Sequence, residues 1–399
     1  MRKSIFLSIL YQTLPVLILT SIGEGFTGIF LGSMEKELKL LPGLLILVPA
    51  ITDMRGNIGT AFGSRISTML HVGFIKPLFR LSSLVKENIL VSFTLSIGMA
   101  IFLGFIAHGF SLLLHIGSVG VFRLTLIAIL SAFISSTILI PFVFFLTVLF
   151  FKKGIDPDNV IAPILPMFGD IVTILAILIS ARIVLRFLPH ISSRFLPLIF
   201  LLSVLSMGMR TKRDRYSFSR IVRESIPILT ICAILSAISG TILRSNEHLF
   251  FMFPGVLSLV PQVVEKGGSI GGVVGARMST ALYMGETKPF KLDKTLIGNL
   301  SGGSIVGIII SPLVGLFVFL LLKLFRMDSM SLPFMVMLSS ISITILSISM
   351  SFLSVIISSL SFFFHLDPSN IVIPIITSLG DVAGVSFLIF VLSRMVSHL

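Results

Sequence analysis

The chain has 399 residues, 55% of them hydrophobic and only 12% charged, with a mean hydropathy of +1.10. A soluble domain carries roughly 25% charged residues, so these proportions exclude a water-soluble enzyme. A net charge of +13 in so apolar a chain marks cytoplasmic loops rather than a nucleic-acid surface. The lone Cys232 excludes intramolecular disulfides and cysteine-rich metal sites, and the seven His form no HExxH or other zinc spacing.

Met1-Arg2-Lys3 followed by an apolar run resembles a signal peptide, but the run continues past Glu24 with no small-residue cleavage site. It reads as a retained first helix. Crossing a bilayer takes roughly 18 to 20 apolar residues. Segments of that kind fall at 4–32, 43–71, 88–115, 121–151, 160–188, 194–209, 222–243, 252–283, 295–324, 332–364 and 371–395, with 194–209 the shortest. The expected fold is all-α and polytopic, with about eleven transmembrane helices. The largest charged linker runs from Arg210 to Arg223 and reads as a topology determinant that touches anionic membrane lipid.

The chain repeats itself. PGLLILVPAITDMRGNIGTAFGSRISTMLHVG from Pro42 aligns without a gap to PGVLSLVPQVVEKGGSIGGVVGARMSTALYMG from Pro254, an offset of 212 residues. DPDNVIAPILPMFGD (Asp156 to Asp170) matches DPSNIVIPIITSLGD (Asp367 to Asp381) at an offset of 211. Two matches in the same order at nearly the same spacing indicate a tandem duplication of a five-helix unit. The expected organisation is a first repeat over 1–188, a linking helix and basic cytoplasmic loop over 189–218, and a second repeat over 219–399. The linking helix adds a crossing, so both repeats would point the same way about a pseudo-two-fold axis along the membrane normal. With the N-terminus cytoplasmic and the C-terminus external, 16 of the 30 Lys and Arg fall in cytoplasmic segments, as the positive-inside rule asks.

Of 17 acidic residues, five lie well within spans: Glu24, Asp53, Asp170, Glu265 and Asp381. Four form repeat pairs, Asp53 with Glu265 and Asp170 with Asp381. A charge at mid-bilayer costs roughly 2.5 to 3.5 kcal/mol or more, and it therefore faces a partner or a water-filled path. On the fifth helix of each repeat, Asn159, Pro163, Pro166 and Asp170 share one face, as do Asn370, Pro374, Thr377 and Asp381. Each proline removes a backbone hydrogen bond, which can free the carbonyls of Asn159, Ala162 and Asn370. With parallel repeats, Asp170 and Asp381 would arrive at the same depth and either share a proton or hold a cation. A hard divalent ion such as Mg2+ suits carboxylates, amide oxygens and carbonyls without sulfur or imidazole.

The second helix of repeat 1 carries Asp53, Asn57, Thr60 and Ser64 on one face, and repeat 2 has Glu265, Ser269, Gly272 and Ala276 there. Arg55 and Lys266 read as local counter-charges for Asp53 and Glu265. Arg65 and Arg277 lie nearer the cytoplasmic end, where they would snorkel or pair with an acidic mouth of Asp156, Asp158 and Asp367 and act in gating. Glu24, whose repeat counterpart is Ser236, reads as a solvated helix end.

GNIGTAFGSRIST, DPDNVIAPILPMFGDIVT and their second copies resemble the membrane domain of MgtE-type magnesium channels. They are more similar still to the solute-carrier magnesium transporters in which that domain is duplicated within one chain. The resemblance implies Mg2+ binding at the fifth-helix aspartates, here Asp170 and Asp381. It also matches the family motif at Gly56, Asn57, Gly59 and Thr60, while Ser269 departs from it. The cytosolic Mg2+-sensing domains are absent from this sequence, so gating by them is not implied. The expected function is transport of divalent cations, most simply Mg2+, through a pore at the repeat interface in the cell membrane. Mg2+ is cargo and no cofactor is expected. One chain would complete the pore, with a homodimer left open. A Na+- or H+-coupled carrier of another solute is the alternative. An intramembrane aspartyl protease fits less well, because neither Gly-Asp has the earlier Gly of its Gly-x-Gly-Asp motif.

Overall fold

A computed structural model describes residues 5–79, 81–155, 157–187, 215–364 and 368–396. Among them the chain forms twelve α-helices and one 3-10 turn, with no strand. They are α1 (Ile5–Ser33), α2 (Glu35–Leu40), α3 (Leu44–His71), α4 (Ser83–Leu113), α5 (Val121–Lys152) and α6 (Pro157–Phe187). After the linker come α7 (Arg215–Ser245), α8 (Glu247–Met252), the 3-10 turn Val256–Leu259, α9 (Val260–Tyr283), α10 (Lys294–Leu324), α11 (Leu332–Phe363) and α12 (Pro368–Val396). Helices satisfy every backbone group within the segment, which is the condition for crossing lipid. Eight are long and apolar enough to cross a membrane. The second helices, α3 and α9, have 28 and 24 residues and thus the length to cross, but each carries three charged side chains, Asp53, Arg55 and Arg65 on α3 and Glu265, Lys266 and Arg277 on α9.

The sequence segments and the helices agree with three differences. The segment 194–209 lies outside the described residues. The expected span 252–283 is broken: α8 stops at Met252, Gly255 adopts a left-handed φ of 82°, and the helix resumes through the 3-10 turn into α9. Repeat 1 turns in the same way, with α2 ahead of α3 and Gly43 at φ 96°. A Cβ is strained at such angles, which is why the Pro-Gly pair stands there twice. Third, α4 begins earlier than its apolar run because the Ser82 hydroxyl accepts from Val85 N at 3.4 Å.

The helices group into two compact units, one of Met1–Ser33 with Ile242–Leu399 and the other of Met34–Thr241. These units are not the sequence repeats. Each consists of the later helices of one repeat together with the first helix of the other. In the first unit, α1 packs on α9, α10 and the 3-10 turn, while α9 lies against α11 and α12. A Cβ on Gly28 of α1 would collide with the carbonyl of Ser258, so the helix and turn touch through backbone. In the second unit, α3 packs on α4, α5 and α6. There α7 repeats the seat: a Cβ on Gly240 would collide with the carbonyl of Ile46. Gly28 and Gly240, and Ser258 and Ile46, are equivalent at the 212-residue offset.

Each unit has its own core. Phe62, Ile66, Leu139, Val143 and Leu165 are central to the second unit, and Val274, Met278, Leu296 and Val355 to the first. Small residues draw α9 and α11 together, with Ser354 donating to the Gly271 carbonyl at 2.7 Å and Ser358 to that of Gly275 at 3.3 Å. In lipid such contacts replace the hydrophobic drive between helices.

Candidate functional site: carboxylates on the second and fifth helices

On α3 the polar stripe is a hydrogen-bonded group. Asn57 Nδ2 donates to Asp53 Oδ1 at 3.1 Å, and Ser236 Oγ of α7 donates to Asp53 Oδ2 at 2.6 Å. The Thr60 hydroxyl donates to the Gly56 carbonyl at 2.8 Å, one turn back. On α9, Ser269 Oγ donates to Glu265 Oε1 at 2.9 Å. The family asparagine and its serine replacement therefore do the same thing, donating to a carboxylate four residues earlier on one helix face.

Two sequence expectations are corrected here. Arg55 is not engaged with Asp53: its guanidinium, 5% exposed, donates to the Ala132 carbonyl at 3.1 Å and to the hydroxyls of Ser135, Ser136 and Ser96. It pins α3 to α4 and α5. Lys266 turns from Glu265 to α1, where its Nζ donates to Glu24 Oε2 and, at 3.2 Å, to Thr20 Oγ1. The physical reason is helical geometry, since residues one or two apart on a helix point to different faces. Glu24 is accordingly no solvated helix end but is 1% exposed, in a buried ion pair.

Arg65 on α3 and Arg277 on α9 reach across to the third helices of the repeats, α4 and α10. Arg65 Nε donates to Asn88 Oδ1 at 2.9 Å and Nη2 to Ser92 at 3.1 Å. Arg277 Nε donates to Asn299 Oδ1 at 3.2 Å. Each asparagine is held in turn by its own helix, Asn88 donating to Leu84 O and Asn299 to Thr295 O. Asp156 and Asp367, and the side chain of Asp158, lie outside the described residues.

On the fifth helices, Asp170 and Asp381 each stand 13 residues beyond the first-turn proline, about 20 Å along the axis. Both are half-buried. In the first unit, glycine lets α12 come onto α9: a Cβ on Gly380 would reach 2.8 Å from Gly268 N, and one on Gly268 would reach 3.4 Å from Thr377 Cα. Thr377 and Asp381 therefore lie one turn apart beside the Glu265 segment. In the second unit, Leu165 of α6 covers Gly59 of α3, and Pro166 follows it, half-buried. The side chains of Asn159, Pro163, Asn370 and Pro374 lie outside the described residues. Among the described residues no three of His, Cys, Asp and Glu cluster as metal ligands.

Sequence reasoning missed Thr20, Gln262 and the Glu24–Lys266 pair, whose members are 242 residues apart. A signal existed: both charges break the repeat, Glu24 standing against Ser236 and Lys266 against Met54.

The profile of the family described as MgtE: Divalent cation transporter matches residues 48–180 and 260–391, one segment in each repeat. Solute carrier family 41 member 3 of Mus musculus is 22% identical over 405 residues, covering 95% of this chain and 81% of that protein. Member 2 of the same family is 28% identical over 295 residues in Gallus gallus and 26% over 288 in Homo sapiens. Each of those matches covers 68% of this chain and 48% of the relative, so the chain spans about half the length of the member 2 proteins. No solved structure matches. With a matched segment in each half, running from the second helix of the repeat into its fifth, this chain belongs to the MgtE family of divalent cation transporters and is a multi-pass membrane transporter, not an enzyme.

Proposed function

We propose that the chain carries Mg2+ across the cell membrane along a path to which Asp170 and Asp381 each contribute a carboxylate. In this proposal the two repeats are parallel, the N-terminus is cytoplasmic and a linking helix at 194–209 brings the total to about eleven crossings. The observation that carries it is the duplication of a half-buried mid-helix carboxylate after glycine, in a family of divalent cation transporters. Mg2+ keeps several waters and needs few protein oxygens, so two carboxylates with amide and carbonyl oxygens of Asn159 and Asn370 suit it. Asp53 and Glu265 supply further negative charge along the second helices and Asn57 an amide oxygen, with Thr60 beside them and Pro163, Pro166, Pro374 and Thr377 lining the fifth-helix faces. Arg65 and Arg277 set the cytoplasmic ends of those helices.

The test is Mg2+ uptake into proteoliposomes, read with a Mg2+-sensitive dye, for the parent, Asp170→Ala and Asp381→Ala. Each substitution is expected to abolish most of the flux while the protein still inserts. Normal flux in both would reject the path. Imposed Na+ and pH gradients in the same vesicles separate exchange, or a carrier coupled to either ion, from passive conduction.

A further inference from the structure

The two copies of the first-helix contact have the same shape and different chemistry. Their backbone seats are equivalent, Gly28 on Ser258 in one unit and Gly240 on Ile46 in the other. Shape alone therefore lets either first helix occupy either seat. The side chains differ. In one unit α1 presents Thr20, Ser21 and Glu24 to Gln262 and Lys266 of α9, all of them buried. Gln262 Nε2 donates to the Ser21 carbonyl at 2.8 Å, and Lys266 Nζ donates to Thr20 and Glu24. At the equivalent places in the other unit stand Cys232, Ala233 and Ser236 on α7, with Ala50 and Met54 on α3, again buried. A polar link there is Ser236 on Asp53.

We infer that this difference is a pairing code, in which the buried Glu24–Lys266 pair directs the first helix of repeat 1 onto repeat 2 and makes the two repeats obligate partners of each other. Let each first helix pack instead on its own repeat. Glu24 then takes the place of Ser236 against Asp53, two carboxylates in low dielectric. Lys266 then faces Ser236, Cys232 and Ala233, a buried cation with no counter-ion. The exchanged arrangement avoids both penalties. The same arithmetic holds between molecules: two first repeats trading helices would oppose Glu24 to Asp53, and two second repeats would strand Lys266. Specificity comes from what the wrong pairings suffer more than from what the right one gains.

The test keeps the full chain, with Cys232→Ser and with Phe26→Cys and Phe325→Cys as a reporter, since these two rings lie 6.1 Å apart when α1 is seated after α10. A protease site in the 211–214 linker makes the cross-link visible as two fragments held together. Four versions are compared by cross-linking and by monodisperse yield in detergent. The parent should cross-link. Glu24→Ser with Ser236→Glu moves the acid alone, which suits each first helix to its own repeat, so it should lose at least half of the cross-link while keeping its yield. Adding Lys266→Met and Met54→Lys moves the whole pair, and the cross-link should recover with the yield unchanged. Glu24→Ser with Lys266→Met should keep its yield while its cross-link weakens, because the seats have become interchangeable. The inference is overturned if moving the acid alone leaves the cross-link at parent level, or if moving the whole pair fails to recover it. It is equally overturned if the neutral double variant fails to fold, which would assign the pair to stability alone.

Discussion

Ser236 and Asp53 are 183 residues apart, and the hydroxyl of one donates to Oδ2 of the other at 2.6 Å. This single bond joins the first helix of repeat 2 to the motif helix of repeat 1. It also places a donor on a carboxylate that already accepts from Asn57. Ser236→Ala removes a donor from a half-buried acid, a change that costs about 1 kcal/mol or more. The expected result is a lower melting temperature in detergent for Ser236→Ala, and little change for Ser236→Thr, which keeps the hydroxyl.

The glycine seats make a contrasting prediction. Gly28→Ala and Gly240→Ala drive a methyl into the carbonyls of Ser258 and Ile46, and backbone cannot step aside. Overpacking of this kind costs about 1 to 3 kcal/mol. Gly98, inside α4, has nothing within 4 Å of an added Cβ, so Gly98→Ala should stabilise by up to about 1 kcal/mol through helix propensity. Thermal melts of the three variants against the parent check both signs.

The two arginine latches should differ in strength. Arg65 holds Asn88 and Ser92, whereas Arg277 is seen on Asn299. Arg65→Ala is therefore expected to lower the melting temperature more than Arg277→Ala. Lysine should rescue neither fully, since it lacks the fixed planar fork.

Asp293 caps α10 by accepting from Thr295 N at 3.1 Å and Leu296 N at 2.9 Å, and its other oxygen accepts from Thr287. Burial pushes its carboxyl upward, but these hydrogen bonds and the charge of Lys291 outweigh that and hold its pKa below the usual value. A depressed carboxylate stabilises the fold above its unfolded pKa, and that contribution is lost as pH falls through the folded value. Asp293→Asn keeps a cap but not the titration. The stability gap between parent and Asp293→Asn should therefore be full at neutral pH and close on acidification below about pH 4, as read from melting temperatures across a pH series.

The duplication made most of the helices and the motif carboxylates readable from sequence, because one copy checks the other. Asp53 with Glu265, and Asp170 with Asp381, stand on equivalent helices in the structure. What could not be read was adjacency. A repeat says which segments are alike and nothing of which ones touch, so the matched positions carried no sign of the trade of first helices. The partners assigned to Arg55 and Lys266 failed for a related reason. Closeness along a helix was taken for closeness in space, although 100° of rotation per residue sends each neighbour toward a different helix. Residues that broke the repeat, Glu24 and Lys266, held the missing information.

The trade of first helices also sets an order of events during synthesis. α1 leaves the ribosome first, yet its acceptors α9 and α10 are made only after the whole first repeat and α7. At about 5 to 20 residues per second, the 242 residues between Glu24 and Lys266 take roughly 12 to 50 s to translate. Throughout that interval the nascent first helix carries a carboxylate whose ammonium partner does not yet exist. The insertion machinery must shelter that group until α9 and α10 arrive.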